Sequence, residues 1–269
     1  MSEKKRILFV TQELSPYTVS EASTIVNALL HATFNSNYDV RVLMPRFGTI
    51  NERRHRLHEV VRLSGMNIIV DDDDYPLFIK VASLPGTRLQ VYFLDNEEFF
   101  KRKLIFSDDK NKPFEDNQDR MIFFCKGVIE TVRKFGWAPD VIHCHGWMTS
   151  LIPMYLRIAY ENEPLFNNSH IVYSAYEEKL SASFNDNFYE KAMISKIQDD
   201  HLESFRNGDN VSLHGGAINY ADSVAIGSEN LQDDVMDLIK KSGKNSIDFI
   251  PNEELKEAWM KCYNDFTTD

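Results

Sequence analysis

The sequence predicts an α/β fold, a doubly wound, mainly parallel sheet with helices on both faces and an antiparallel β insertion. Three observations carry this reading. A strand–helix–strand unit occupies residues 7–44, a β-rich stretch without long helices interrupts it, and helix–strand alternation then resumes as far as residue 241.

Residues 7–10 are a short apolar run ending in Thr11. Ala22, Ile25, Val26, Leu29 and Leu30 recur at helical spacing and predict a helix over 22–33, after which 39–44 reads as a second strand. Within 59–94 the runs 67–70, 77–82 and 89–94 are joined by turn signals such as Leu84-Pro85-Gly86-Thr87, which predicts the antiparallel insertion. A helix over 118–135, a strand over 141–144, a helix around 151–160 and a strand over 170–174 follow. The last strand, 223–226, leads to a helix over 229–241, with Ser228 as N-cap and Asp233 and Asp234 near its positive end. Residues 1–244 therefore read as one domain. In the tail, 245–269, Leu255, Trp259, Cys262 and Phe266 have helix-like spacing after Pro251, suited to covering this domain or a neighbouring molecule.

With 269 residues and 43% hydrophobic content, the chain has enough apolar side chains for a sizeable core. Its 41 acidic against 30 basic residues, a net charge of −11, argue against nucleic acid or an anionic membrane as partner. A neutral sugar polymer or a protein suits this balance better. The apolar run 7–10 is too short for a signal-peptide core or a membrane span, so a cytoplasmic location is expected. Cys125, Cys144 and Cys262 lie far apart and suggest neither a disulfide framework nor a thiolate metal site. The acids Asp71 to Asp74 alternate in direction and lack calcium-loop spacing, so a solvated turn is expected; no metal or cofactor is. No Walker loop, G-x-S-x-G elbow or G-x-G-x-x-G is present, which weakens ATPase, hydrolase and dehydrogenase readings.

Sheets of this kind bind ligands at the carboxyl ends of their strands, which directs attention to 11–20, 45–48, 145–149, the residues after Tyr173, and Gly227-Ser228. Three blocks there share a pattern. The opening "RILFVTQELSPYTVSEASTIVNALLHATFNSNYDVRVLMPRFGTI" is similar in layout to the start of bacterial glycogen and starch synthases. "VYFLDNEEFFKR", "DNQDRMIFFCKGVIE" and "PDVIHCHGWMTSLIPMYLR" resemble three successive signatures of that family, in its order, and "SLHGGAINYADSVAIGSENLQDDV" resembles its L-K-x-G-I-x-Y-A-D segment. The resemblance implies the N-terminal, Rossmann-like half of a GT-B glycosyltransferase. It also implies glucosyl transfer from ADP- or UDP-glucose to an α-1,4-glucan. In the family a C-terminal Rossmann domain holds most of the nucleotide-sugar, and 245–269 is too short for one. The expectation is therefore half of an active site, completed by a separate polypeptide or accompanied by self-association.

Several family residues are replaced. Aligning Glu13 and Pro16 puts Val19 at the lysine of K-x-G-G-L and Glu21-Ala22 at its glycines, so a carboxylate stands where phosphates would sit on a helix N-terminus. Glu21 then reads as an ordinary first-turn acid. In "HCHGWMTS", His145 and Trp147 match H-x-H-D-W-Q-T-A while Gly146 replaces the aspartate. His143 and His145 point to one side of the strand, and His145, nearer the ligand edge, is the candidate catalytic residue, as donor to a sugar hydroxyl or developing charge. Tyr173 and Ser174 fall at the family's His-Asn pair, and His214 replaces a lysine beside Gly215 and Gly216. The resemblance thus implies Glu13, Trp147, Tyr173, Ser174, His214 and Gly215 as substrate-binding candidates. Asp116, Asn117, Asp119 and Arg120 read as helix-start residues. Two functions stand open, a glucan synthase-type transferase incomplete on its own and a non-catalytic glucan- or protein-binding remnant of that family.

Overall fold

A computed structural model describes residues 4–178, 180, 183–185 and 187–268. Ten strands are present among them: β1 (Lys5–Thr11), β2 (Tyr38–Pro45), β3 (His58–Glu59), β4 (Met66–Val70), β5 (Asp73–Ser83), β6 (Gln90–Asp95), β7 (Val141–His145), β8 (His170–Ala175), β9 (Ser223–Ile226) and β10 (Asn245–Ile247). They are ordered β10-β9-β8-β7-β1-β2-β6-β5-β3, with β4 paired to β5. From β10 to β6 every pairing is parallel, whereas β3, β4 and β6 each run antiparallel to β5. The antiparallel insertion is thus smaller than its β-rich sequence suggests. Its last run, β6, returns to pair with β2, because Val91, Phe93 and Leu94 are fully buried and need the main sheet.

Strand order reverses at β1, which lies between β2 and β7. That reversal opens a crevice beyond the carboxyl ends of β1 and β7. Burial explains why β1 occupies the centre: Ile7, Leu8, Phe9 and Val10 are 0–1% exposed and fill both faces.

The helices α1 (Glu21–Phe34), α2 (Asn117–Phe135), α3 (Asn210–Tyr220), α4 (Asp233–Ser242) and α5 (Leu255–Phe266) cover the sheet. Ser20 and Ser23 cap α1 reciprocally, each side-chain oxygen taking the other's backbone N–H. After β7 a tight turn over Trp147–Thr149 leads into the helix expected around 151–160, which runs without a break from an α-wound start at Leu151–Met154 into a widened stretch over Tyr155–Ala159. Helix α4 begins at Asp233, and Ser228 does not cap it. The Ser228 hydroxyl instead accepts the Glu177 N–H at 3.0 Å, tying the end of β9 to the end of β8. Nor does Asp116 cap α2: its carboxylate pairs with Arg102, while Asp119 pairs with Lys191 at 3.0 Å.

The tail helix α5 packs against β7, β8 and α1. Leu255, Trp259 and Tyr263 are buried. The Tyr263 hydroxyl lies 2.8 Å from His143 Nδ1, Ser36 donates to Met260 Sδ at 2.9 Å, Tyr38 donates to Asn264 at 2.6 Å, and Phe266 stacks on His170. Truncating a buried tryptophan costs about 3–5 kcal/mol. Trp259→Ala should therefore lower unfolding stability by that order in urea titration. Deleting residues 251–269 should uncover His143 and Phe9 and shift size-exclusion elution towards larger species.

Candidate functional site at the strand switch point

Strand alternation sorts the candidate residues before any chemistry does. His143 and His145 share a face of β7, their rings 3.8 Å apart, with Phe9 stacked on His145. Ser174 belongs to this face, its hydroxyl 2.7 Å from His143 Nε2. Tyr173 turns to the opposite face, where its hydroxyl lies 2.8 Å from His214 Nδ1 of α3. The neighbours Tyr173 and Ser174 therefore serve different layers. Gly215 lies elsewhere again, on the wall of a cavity of about 560 Å³ between α3 and α4.

His145 is 1% exposed. Its Nδ1 is joined to the Tyr176 hydroxyl at 2.8 Å, and its Nε2 has no hydrogen-bond partner. Burial lowers its pKa to about 3 and that of His214 to about 4, and with His145 alongside it depresses His143 as well. All three rings are neutral at physiological pH.

The crevice itself is closed by a ring of polar contacts from three strand ends. Gly146, just past β7, donates its N–H to the Ser174 carbonyl at 3.2 Å. Its φ of 81° and ψ of 167° lie in a region that essentially only glycine occupies. The next two N–H groups point into the crevice: Trp147 N–H donates to Glu178 Oε2 at 3.1 Å and Met148 N–H to Gln12 Oε1 at 3.0 Å. Gln12 completes the ring by donating from Nε2 to Glu178 Oε1 at 2.7 Å. A Cβ at position 146 would come within 2.7 Å of Gln12 Oε1 and 2.9 Å of Glu178 Oε1. Position 146 is thus filled from across the crevice.

Burial, assisted by the charge of Glu13, raises the Glu178 carboxyl to about 8 against the opposing Trp147 hydrogen bond. Burial also raises Glu13, countered by hydrogen bonds from Ser20 and Gln12. Trp147 is buried, its ring packed on Phe106 and Phe184. Val19 is 94% exposed, Glu21 starts α1, and the reciprocal cap already occupies two of that helix's N-terminal donors. Gln12, Tyr176 and Glu178 are site residues that the motif comparison did not single out. Glu178 stands within the run "HIVYSAYEE", but its partly buried place in the crevice follows only from how the ends of β1 and β7 meet it.

Residues 6–247 match the family described as the starch synthase catalytic domain. This chain belongs to that family. It is 31% identical over 233 residues to the glycogen synthase of Chlorobium limicola, covering 86% of this chain and 47% of that protein. With the glycogen synthase of Chlorobaculum parvum it shares 34% over 225 residues, covering 83% and 46%. The chain spans about half the length of the curated relatives it matches. Among solved structures it resembles the catalytic domain of starch synthase IV from Arabidopsis thaliana bound to ADP and acarbose. That likeness has a TM-score of 0.73 at 18% identity, covering 92% of this chain and 52% of that one. The fold of this starch synthase catalytic domain member is thus the N-terminal half of the GT-B architecture.

Two outcomes follow from this geometry. Placing a side chain at Gly146 forces a strained backbone costing on the order of 1–3 kcal/mol, so Gly146→Ala should lower the urea midpoint; an unchanged midpoint would show that the turn relaxes freely. The buried histidines act at acid pH. Their folded-state pKa values lie below the unfolded 6.5, so their contribution is complete above pH 6.5 and is lost as pH falls towards 3–4. Thermal midpoints should drop across that window, and His145→Gln, which cannot protonate, should make the drop shallower.

Proposed function

We propose that this chain supplies the acceptor side of a glucan-elongating glucosyltransferase, holding the end of an α-1,4-glucan in the crevice beyond β1, β7 and β8. A nucleotide-sugar domain, joined to it or provided by another polypeptide, completes the transfer from ADP- or UDP-glucose. The carrying observation is the ring formed by Gln12, Glu178 and the Trp147 and Met148 N–H groups. Such a mixture of amide and carboxyl groups matches sugar hydroxyls, which both donate and accept. The resemblance to glycogen and starch synthases supports a glucan over other polyols. His145 is a neutral group beneath this ring, its unpartnered Nε2 buried, so its part is to shape the floor of the crevice. Trp147 supplies a backbone donor and a fixed turn, and Glu13 a second carboxyl.

A second reading, a glucan-binding remnant without catalysis, is favoured by the start of α1. Exposed Val19, first-turn Glu21 and a self-satisfied cap offer a diphosphate neither a cation nor two of the free donors. Calorimetric titration separates the possibilities. Maltoheptaose should release heat on binding and ADP-glucose should not, when each is added to the chain alone. Labelled glucose should enter glycogen only when a nucleotide-sugar domain is added. Tight ADP-glucose binding by this chain alone would overturn the acceptor-side assignment, and glucan binding without incorporation beside any such domain would leave the remnant.

A further inference from the structure

We propose that a recess at the amino ends of β1, β2 and β6, at the opposite end of the sheet from the crevice, binds the phosphate group of a small molecule through Arg41, Arg88 and Lys4. This site is independent of the glucan reading.

The recess encloses about 320 Å³. Its position follows from the strand starts: Lys4 precedes β1, Tyr38 opens β2 opposite Lys5, and Gln90 opens β6. Arg41, on β2, is half-buried in the wall. Its guanidinium carbon lies 4.5 Å from the centre of the Phe135 ring and 4.6 Å from that of Trp137, and packing on two rings restrains an otherwise flexible side chain. Among the described residues nothing accepts from this guanidinium, which has neither a hydrogen bond nor an ion pair. An arginine carries only donors. In a chain with 41 acidic against 30 basic residues, a half-buried cation left without an acceptor is an exception, and an anion from outside the chain would complete it.

The surroundings select the class of anion. Arg88 and Lys4 line the same recess, are exposed, and pair with no acid among the described residues. Asp39 is the one acid in the wall, and its Oδ2 already accepts from Trp137 Nε1 at 2.9 Å. The Tyr92 hydroxyl donates to Gln90 Oε1 at 2.6 Å, which leaves the Gln90 NH2 as a further donor. Positive charge also comes from behind the wall: burial lowers the Arg41 pKa, and the charges of Arg62 and Arg6 press it the same way against Tyr92 and Asp39. Cations and donors therefore dominate. A carboxylate would neutralise one of the three positive side chains, whereas a phosphate dianion answers two and takes the planar fork of Arg41 by two parallel hydrogen bonds. The volume leaves space beside the phosphate for the group that carries it.

The test is calorimetric titration of inorganic phosphate, acetate and a polyglutamate peptide into the wild-type chain, Arg41→Gln, Arg41→Lys and Arg88→Gln. Ionic strength is held constant at about pH 8, where phosphate is a dianion. Phosphate should bind the wild-type chain, and acetate about tenfold more weakly. Arg41→Gln should weaken phosphate about tenfold, and Arg41→Lys, which keeps the charge but loses the fork, should recover only part of that loss. Arg88→Gln, at an exposed position that does not bear on folding, should weaken it about threefold. Melting curves verify folding, and if Arg41→Gln does not fold, Arg41→Lys and Arg88→Gln decide. The proposal is overturned by no phosphate binding to the wild-type chain, by equal binding of phosphate and acetate, or by phosphate affinity unchanged in both Arg41→Lys and Arg88→Gln. Binding of polyglutamate without phosphate gives the recess to an acidic protein partner and overturns it as well.

Discussion

Strand β7 lies between two parallel neighbours and beneath helices, so water cannot solvate its side chains, yet it carries two histidines. A buried polar group without a partner costs about 1–3 kcal/mol, and a buried charge far more. His143 meets this constraint by bridging Ser174 of the neighbouring strand and Tyr263 of the tail helix. His145 leans on Tyr176 and stacks on Phe9. Both rings remain neutral. The tail helix is consequently bound to the centre of the sheet by a hydrogen bond that no water can replace, with Trp259 packed beside it. Helix placement, strand pairing and protonation state are settled together at this point.

The crevice above these rings is governed by backbone geometry more than by side-chain inventory. Gly146 lets the chain turn so that two successive N–H groups face inward, and Gln12 and Glu178 accept one each. Where the family pattern places an aspartate in the turn, this protein has a turn that excludes it and a glutamate arriving from the next loop. The carboxyl beside this turn comes from the loop after β8 and not from the end of β7. The same principle applies at the start of α1. Ser20 and Ser23 satisfy each other, so the helix needs no ligand to complete its cap.

The scaffold persists at low sequence identity. A TM-score of 0.73 at 18% identity shows that the packing of strands against helices persists through extensive substitution. Cores tolerate this when volume and pattern are kept, because dispersion and burial are not directional. Hydrogen-bonded sites are directional, and each exchange there redirects a donor or acceptor. Membership of the starch synthase catalytic domain family therefore describes the scaffold closely, and the chemistry at the strand ends has to be read residue by residue.

The doubly wound sheet was legible in the sequence because burial leaves a periodic trace: apolar runs at β1 and β6, helical spacing in α1 and α2, and turn residues between them. The family was legible because three signatures retain their order and spacing. Less legible were features that depend on partners distant in the chain. Ser228 satisfies the criteria for a helix cap yet bonds Glu177, and Asp116 stands at a helix start yet pairs with Arg102. Tyr173 and Ser174 are adjacent in sequence and face opposite layers. Gln12 carries no motif and Glu178 only ends the run that holds Tyr173 and Ser174, and the two meet only because β1 and β7 are neighbours and β8 follows. Sequence by itself determined the elements, the parallel core and the family, since local propensity and hydrophobic period act over a few residues. Tertiary structure alone decided which polar groups share a desolvated space, because desolvation and hydrogen-bond direction depend on what the fold brings within about 3 Å.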